Sequence, residues 1–404
     1  MPCPAGVEAM LAAEAQSITQ QAAQTHRAGA SLTGNWQDVM RLNLHSRLAQ
    51  RVLLRVAIGP YRTEDDIYAL SRQVAWENWF TPKEWFRIDI TANQSPLKSI
   101  NFAALRVKDG LVDRFRDLTG QRPSVDTHRP QVRIQVHLSA TDASIFIDTS
   151  GDPLFKRGWR QDKGDAPLKE TLAAALITAS GWQPLSGQPL YDPCCGSGTI
   201  AIEAAQMACQ IAPGLNRRFA FEKLIGFERS AWLDLRNRAI DQVRQPDEPV
   251  VFGSDVSHRM VDFAQRNAER AGVGKALELR GGDALQRMPP SSKPGVMLLN
   301  PPYGERIDVA GIAKGGHDRR APVRDPSATQ FDGEGAAAFY SALAAHWKSH
   351  FDGWSAWILS PDTKLPSLMR LKESRRVPVF NGPIECRLFR FDIQARRTPP
   401  PPAA

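Results

Sequence analysis

A chain of 404 residues is too long for one ordinary domain and comfortably long for two or three. With 42% hydrophobic and 23% charged residues it reads as globular rather than disordered. The 51 Lys+Arg against 43 Asp+Glu leave a net charge of +8, which is compatible with a polyanionic partner, because basic side chains displace counterions condensed on phosphates. The composition excludes more than it selects. No continuous apolar run is long enough to span a bilayer, and residues 1–20 lack a basic segment followed by an apolar block, so neither a membrane span nor a secretory signal is expected.

In chain order, residues 5–28 are Ala/Gln-rich and helix-favouring. The apolar spacing in residues 42–54 predicts a helix, and residues 63–79 another, capped by Thr63 with Glu64, Asp65 and Asp66 in its first turn. Residues 85–91 alternate like a strand, 102–119 return to helix with Gly120 as the stop, and 132–138 and 144–148 read as two more strands. Residues 40–150 are therefore expected to form a compact α+β unit, behind a short segment at 1–39. A basic connector, 151–166, follows. Its Lys156-Arg157-Gly158-Trp159-Arg160 reads either as a solvated linker with an anchored tryptophan or as an RNA contact made by basic side chains around an aromatic.

From residue 167 helices and strands alternate. Helices are expected at 168–179, 199–209, 257–270 and 336–350, and strands at 189–192, 250–253, 277–280, 295–300 and 354–360. A final pair of strands within 375–391 turns at Asn381-Gly382-Pro383. The alternation predicts a doubly wound, mostly parallel sheet over 167–395. The Gly/Asp/Arg-rich stretch 308–335 is long for a loop, and the proline-rich tail at 396–404 is expected to be disordered.

Two strings carry the chemistry. Asp192-Pro193-Cys194-Cys195-Gly196-Ser197-Gly198-Thr199 sets a carboxylate and a glycine turn at a strand end and helix entrance. It lacks the third glycine of a dinucleotide loop and the Gly-Lys-Ser/Thr of a Walker loop, so a positively charged, non-phosphate cofactor suits it better than a pyrophosphate. Asp255 ends the next strand and can accept from ribose hydroxyls, with Glu228 as a rival and Asp255 preferred for the helix that follows it. Asp283 can accept from an adenine amine or cap a helix. Asn300-Pro301-Pro302-Tyr303 follows a buried strand. The Asn300 amide oxygen and the Pro301 carbonyl can both accept from one exocyclic –NH2, and Tyr303 offers a face for a ring flipped out of its stack. The five cysteines (Cys3, Cys194, Cys195, Cys209, Cys386) complete no zinc set and no Cys-x-x-Cys pair. They read as small buried thiols in a reducing, cytoplasmic protein without a metal.

These residues resemble class I S-adenosylmethionine-dependent methyltransferases of the amino-methylating branch. More narrowly, residues 43–393 resemble the bacterial family of large-subunit (23S) ribosomal RNA guanine-N2 methyltransferases with an N-terminal THUMP domain. The resemblance rests on Asn43-Leu44-His45-Ser46-Arg47-Leu48-Ala49, on Asp148-Thr149-Ser150-Gly151, on Lys156 to Arg160, and on Ala166-Pro167-Leu168-Lys169-Glu170-Thr171-Leu172. It continues through the cofactor loop to Asn300-Pro301-Pro302-Tyr303-Gly304-Glu305-Arg306.

It implies a Rossmann-like methyltransferase sheet behind a smaller α+β THUMP-type RNA-binding domain, S-adenosylmethionine as cofactor, and ribosomal RNA or its precursor as partner. Asp192, Gly196 and Gly198 would hold the methionine end, Asp255 the ribose and Asp283 the adenine, with Cys194, Ser197 and Thr199 also lining the cofactor site. Asn300, Pro301, Pro302 and Tyr303 would receive the guanine. Against the family pattern, residues 1–39 look like a partial ferredoxin-like segment without its opening strand, and the 308–335 loop looks long. The absence of a second methyltransferase half implies one modification. Adenine-N6 and protein-glutamine methylation use the same four-residue string, and a non-catalytic RNA-binding ribosome assembly factor is the alternative outside enzymes.

Overall fold

The computed structural model describes residues 1–164, 167–301 and 333–394. Its contacts divide the chain into two units, and the division is discontinuous. Unit 1 comprises residues 1–3, 11–156 and 213–241; unit 2 comprises 4–10, 157–212 and 242–404.

The chain opens with α1 (Glu8–Thr19), a hairpin of β1 (Ala23–His26) and β2 (Gly29–Leu32), and α2 (Trp36–His45). In unit 1, Pro2 forms a single bridge with Gly29, so the opening rung is one residue rather than a strand. Asn35 and Asp38 form a reciprocal capping box that starts α2. The helix expected over 42–54 ends instead at His45. The reason is tertiary: the Glu14 carboxylate accepts from Ser46 Oγ (2.6 Å) and from the Arg47 and Leu48 N–H groups (2.8 and 3.3 Å). Those amides are thereby lost to a continuing helix, and the chain leaves as β3 (Leu53–Pro60), a strand that the helical spacing concealed.

Elsewhere in unit 1 the sequence pattern holds, except that the helix expected over 63–79 stops at Gln73. Thr63 and Asp66 cap α3 (Glu64–Gln73), β4 (Phe86–Ala92) comes next, and α4 (Ile100–Thr119) ends at Gly120. β5 (Val132–Leu138) and β6 (Asp142–Asp148) complete a four-stranded sheet of order β3-β6-β5-β4, with only the β4–β5 pair parallel. Val132, Ile134, Val136 and Leu138 are buried at alternate positions of β5, as a half-buried strand requires. Two motif strings a hundred residues apart interlock here. Asn43 Nδ2 donates to Thr149 Oγ1 (2.9 Å), Ser150 Oγ donates to Asn43 Oδ1 (2.6 Å), and Arg51 pairs with Asp148.

Unit 2 contains α5 (Glu170–Ser180), β7 (Leu190–Asp192), α6 (Thr199–Ala208), β8 (Val251–Asp255), α8 (His258–Arg270), β9 (Leu277–Gly281) and β10 (Val296–Leu299). It continues with α9 (Gly333–His350), β11 (Ser355–Ser360), α10 (Leu365–Met369), β12 (Arg375–Asn381) and β13 (Ile384–Asp392). Between α6 and β8 the chain passes through unit 1 as α7 (Arg229–Asp241), a helix the sequence reading did not isolate. The seven strands run β12-β13-β11-β10-β7-β8-β9, with β13 antiparallel to both neighbours and the five from β11 to β9 mutually parallel. Met297, Leu299, Ala356 and Ile358 of the central strands pack with Trp347, Phe351 and Phe389 in its core. Among the described residues no helix is long and apolar enough to cross a membrane. Residues 302–332 and 395–404, which hold Pro302, Tyr303, most of the long loop and the tail, lie outside the described residues.

Candidate cofactor and acceptor site

Four parallel strands of unit 2 end along one edge of its sheet. β10 pairs Val296 with Leu190 and Met297 with Tyr191, β7 pairs Asp192 with Gly253, and β8 pairs Asp255 with Gly281. The chain winds outward from β7 through β8 to β9 and then returns to the other side of β7 as β10. The strand order therefore reverses between β7 and β10, the place where open α/β sheets take ligands.

Asp192 closes β7 and is only 2% exposed, with Oδ1 accepting the Cys194 N–H at 3.2 Å. The turn that follows is held from inside. Cys195 N–H donates to the Ser254 carbonyl (2.9 Å), and Gly198 N–H to the Cys195 carbonyl (2.8 Å). Gly196 and Gly198 have φ of +53° and +91°, which side chains with a Cβ rarely adopt. Their surroundings differ. A Cβ on Gly198 would lie 3.0 Å from Ala264 Cβ and from Ile202 Cδ1, so α6 and α8 need a glycine there. A Cβ on Gly196 would meet nothing within 4 Å, so this residue leaves a cradle open at the strand edge.

Asp255 joins the two strand tips. Its Oδ2 accepts the Gly196 N–H and its Oδ1 the Ser257 N–H, both at 2.9 Å, which orients the carboxylate and leaves acceptor capacity for a ligand. Asp283, just beyond β9, accepts the Leu285 N–H at 2.9 Å and closes a turn there, with no helix following for it to cap. Glu228, the rival for the ribose, falls in unit 1. Asn300 is the first residue past β10, and Pro301 is buried. Continuing the β10–β7 register sets Leu298 level with Asp192, so Asn300 lies roughly 7 Å further along the edge.

The electrostatics are unusual. Burial, reinforced by the Asp255 charge, pushes the Asp192 carboxyl up to about 8. Burial likewise raises Asp255, against the hydrogen bonds from Ser257 and Gly196. The Cys194 and Cys195 thiols are raised well above their usual range, by burial first and then by the neighbouring carboxylates, so both are protonated thiols rather than nucleophiles. A cationic ligand group fits this edge, because it would offset the cost of an ionised buried carboxylate.

The connector does not do what its composition suggests. Arg157 is 2% exposed and pairs with Glu203 at 3.1 Å, with both side chains essentially sealed from solvent. Trp159 is 1% exposed. Arg160 binds Glu170 Oε1 (2.6 Å), Ser197 Oγ (3.0 Å) and Thr199 Oγ1 (2.7 Å). Arg157 and Trp159 are sealed inside unit 2 and cannot stack on or grip RNA, Arg160 is part-buried with its guanidinium bound within unit 2, and Lys156 is the exposed one of the set. The same bonds give Ser197 and Thr199 an internal role as acceptors from Arg160, which leaves each O–H able to donate. Arg160 and Asn267, neither read as part of the cofactor turn, brace it. The sequence offered one hint, the acid Glu170 opening a helix behind the basic string.

The chain matches three domain families: an RlmL ferredoxin-like domain at 1–53, a THUMP domain at 61–148, and an RMKL-like methyltransferase domain at 157–314. The chain therefore carries an RMKL-like methyltransferase domain behind a THUMP domain. Among curated relatives, the ribosomal RNA large subunit methyltransferases K/L of Psychromonas ingrahamii and Syntrophotalea carbinolica are each 34% identical over 406 residues. Those alignments cover 98% of this chain but 50% and 53% of the relatives, so the chain spans about half their length. Among solved structures, SMU.472 with bound SAH superposes with a TM-score of 0.84 at 27% identity, covering 98% of both chains. A predicted N6-adenine-specific DNA methylase from Listeria monocytogenes gives 0.83 at 26% identity, over 97% of this chain and 95% of that one. The RMKL-like match begins at Arg157, the residue at which unit 2 resumes. The ferredoxin-like match runs past residue 39 to 53, and residue 40 itself lies inside α2.

Proposed function

We propose that this chain transfers a methyl group from S-adenosylmethionine to the exocyclic N2 of a guanine in large-subunit ribosomal RNA, in the cytoplasm. The observation that carries the reading is the placement of Asn300-Pro301 at the tip of β10, beside the Asp192 turn at the tip of β7. The bound cofactor supplies the activated methyl. Its ammonium suits Asp192, its carboxylate suits the N-terminus of α6 at Thr199, and its ribose suits Asp255.

The acceptor amine is a poor nucleophile, because its lone pair is delocalised into the ring. Asn300 Oδ1 and the Pro301 carbonyl, accepting its two hydrogens, favour a pyramidal nitrogen and offset the positive charge that develops on it. Pro301 has no N–H to compete for nearby acceptors. The methylated amine is acidic and loses its proton after transfer, so no strong base is required beforehand. The THUMP-matched part of unit 1 would present the RNA, and unit 2 would carry the chemistry.

Nucleoside analysis of large-subunit RNA after reaction with methyl-labelled cofactor tests the assignment. Label is expected in N2-methylguanine. Label in N6-methyladenine, the chemistry named for the Listeria neighbour, or in a protein glutamine would overturn the guanine reading and leave the methyltransferase one. Cofactor binding with no transfer to RNA or protein would favour the assembly-factor alternative.

A further inference from the structure

Residues 157–162 form a strap bound to unit 2 at several points that the proposed chemistry does not use. Arg157 is anchored by Glu203 on α6. Asp162 receives Arg266 (2.9 Å) and Arg270 (2.5 Å) from α8, and hydrogen bonds from these two guanidinium groups hold its carboxyl down to about 2. Asn267, fully buried on α8, ties the strap to the turn. Its Oδ1 accepts the Gln161 and Asp162 N–H groups (3.2 and 3.3 Å), while its Nδ2 donates to the carbonyls of Asp162 (2.7 Å) and Ser197 (3.1 Å).

Arg160 lies at the centre of this arrangement. Its guanidinium is 4.9 Å from the Trp159 ring and is fixed from behind by Glu170. Its two terminal nitrogens reach Ser197 Oγ and Thr199 Oγ1, the side chains on either side of Gly198. One rigid fork thus holds both flanks of a residue at φ +91°. A lysine, with a single flexible ammonium, cannot hold two hydroxyls in that fixed geometry.

We propose that Arg160 is a positioning residue for cofactor binding: it preforms the Gly196–Thr199 turn before the ligand arrives, and so lowers the ordering cost of binding. The proposal rests on the cofactor reading of that turn. It also explains why a basic, aromatic string that resembles an RNA contact is buried.

The test uses the full chain, calorimetry with S-adenosylmethionine, and hydrogen exchange of the free protein. Arg160→Lys should bind the cofactor about tenfold more weakly or worse, the scale of one lost charge-assisted bond. Amide exchange over residues 195–199 should quicken, while the central strands stay protected. In a Ser197→Ala/Thr199→Ala background, Arg160→Lys should have little further effect, because its acceptors are gone. Should Arg160→Lys fold poorly, Arg160→Gln/Glu170→Gln removes the pair without stranding a buried carboxylate and is expected to weaken binding in the same way. Wild-type affinity in these variants, or an equal loss in both backgrounds with unchanged exchange of the turn, would overturn the role of Arg160. Wild-type protein that binds no cofactor overturns the reading of the site itself, and is recognised before any variant is made.

Discussion

Asp192 sets function against stability within a single carboxyl group. Its folded-state pKa of about 8 lies far above the ordinary value near 4, so between those limits the folded chain holds a proton that the unfolded chain has released. The fold therefore loses stability as pH rises from about 4 to about 8. Asp192→Asn, which cannot ionise, should melt higher than wild type in the absence of cofactor, by a margin that widens from pH 5 to pH 8 and then levels. A margin independent of pH would remove burial of this carboxyl as the cause. The same variant should bind S-adenosylmethionine more weakly. Asn300 separates binding from chemistry: Asn300→Ala should keep cofactor affinity while methyl transfer falls by about a hundredfold or more, the scale for one well-placed electrostatic partner. Single-turnover rates beside calorimetry read the two separately. For Asp255→Ala the loss should be in binding, about 10- to 150-fold, since that carboxylate also anchors the Gly196 N–H.

At the level of elements, the alternation of unit 2 was legible because parallel strands buried on both faces read as short apolar runs between amphipathic helices. Val296 to Leu299 is such a run, every residue of it buried, and it delivers Asn300 to the sheet edge as the spacing implied. What misled was local pattern overridden from a distance. Residues 46–52 keep a helical rhythm, yet Glu14 takes their first amides, and β3 went unread. The strap failed for a related reason, since composition cannot distinguish an arginine aimed at phosphate from one sealed against Glu203. That difference is measurable. Arg157→Ala should destabilise the protein by about 3–5 kcal/mol, as expected when one partner of a buried ion pair is removed. Denaturant melts would show it; a normal melt with selectively weakened RNA binding would restore the surface reading.

At the level of the whole molecule, the +8 charge predicts RNA affinity dominated by phosphate contacts. With the strap internal to unit 2, the open face of the four-stranded sheet is the better candidate surface. The register sets Arg55 beside Phe146 and Gln135, while Arg133 stands level with Arg87 one row away. Arg55→Glu/Arg133→Glu should weaken RNA binding and flatten its salt dependence while leaving cofactor affinity intact; an unchanged salt slope would move the contact elsewhere.

The excursion of residues 213–241 into unit 1 sets an order of events in synthesis. Arg217 donates to the carbonyls of Ser150, Asp152, Pro153 and Lys156, and Phe221 N–H donates to that of Thr149. Asn43 and Arg51 already hold the start of the loop that ends the first unit, but its carbonyls at 150–156 gain the Arg217 donor only when a residue more than sixty positions downstream has left the ribosome, a delay on the order of several seconds at ordinary elongation rates. A nascent chain arrested after residue 156 has left the exit tunnel but before residue 217 has should be more protease-sensitive at 150–156 than one arrested beyond the exit of residue 241.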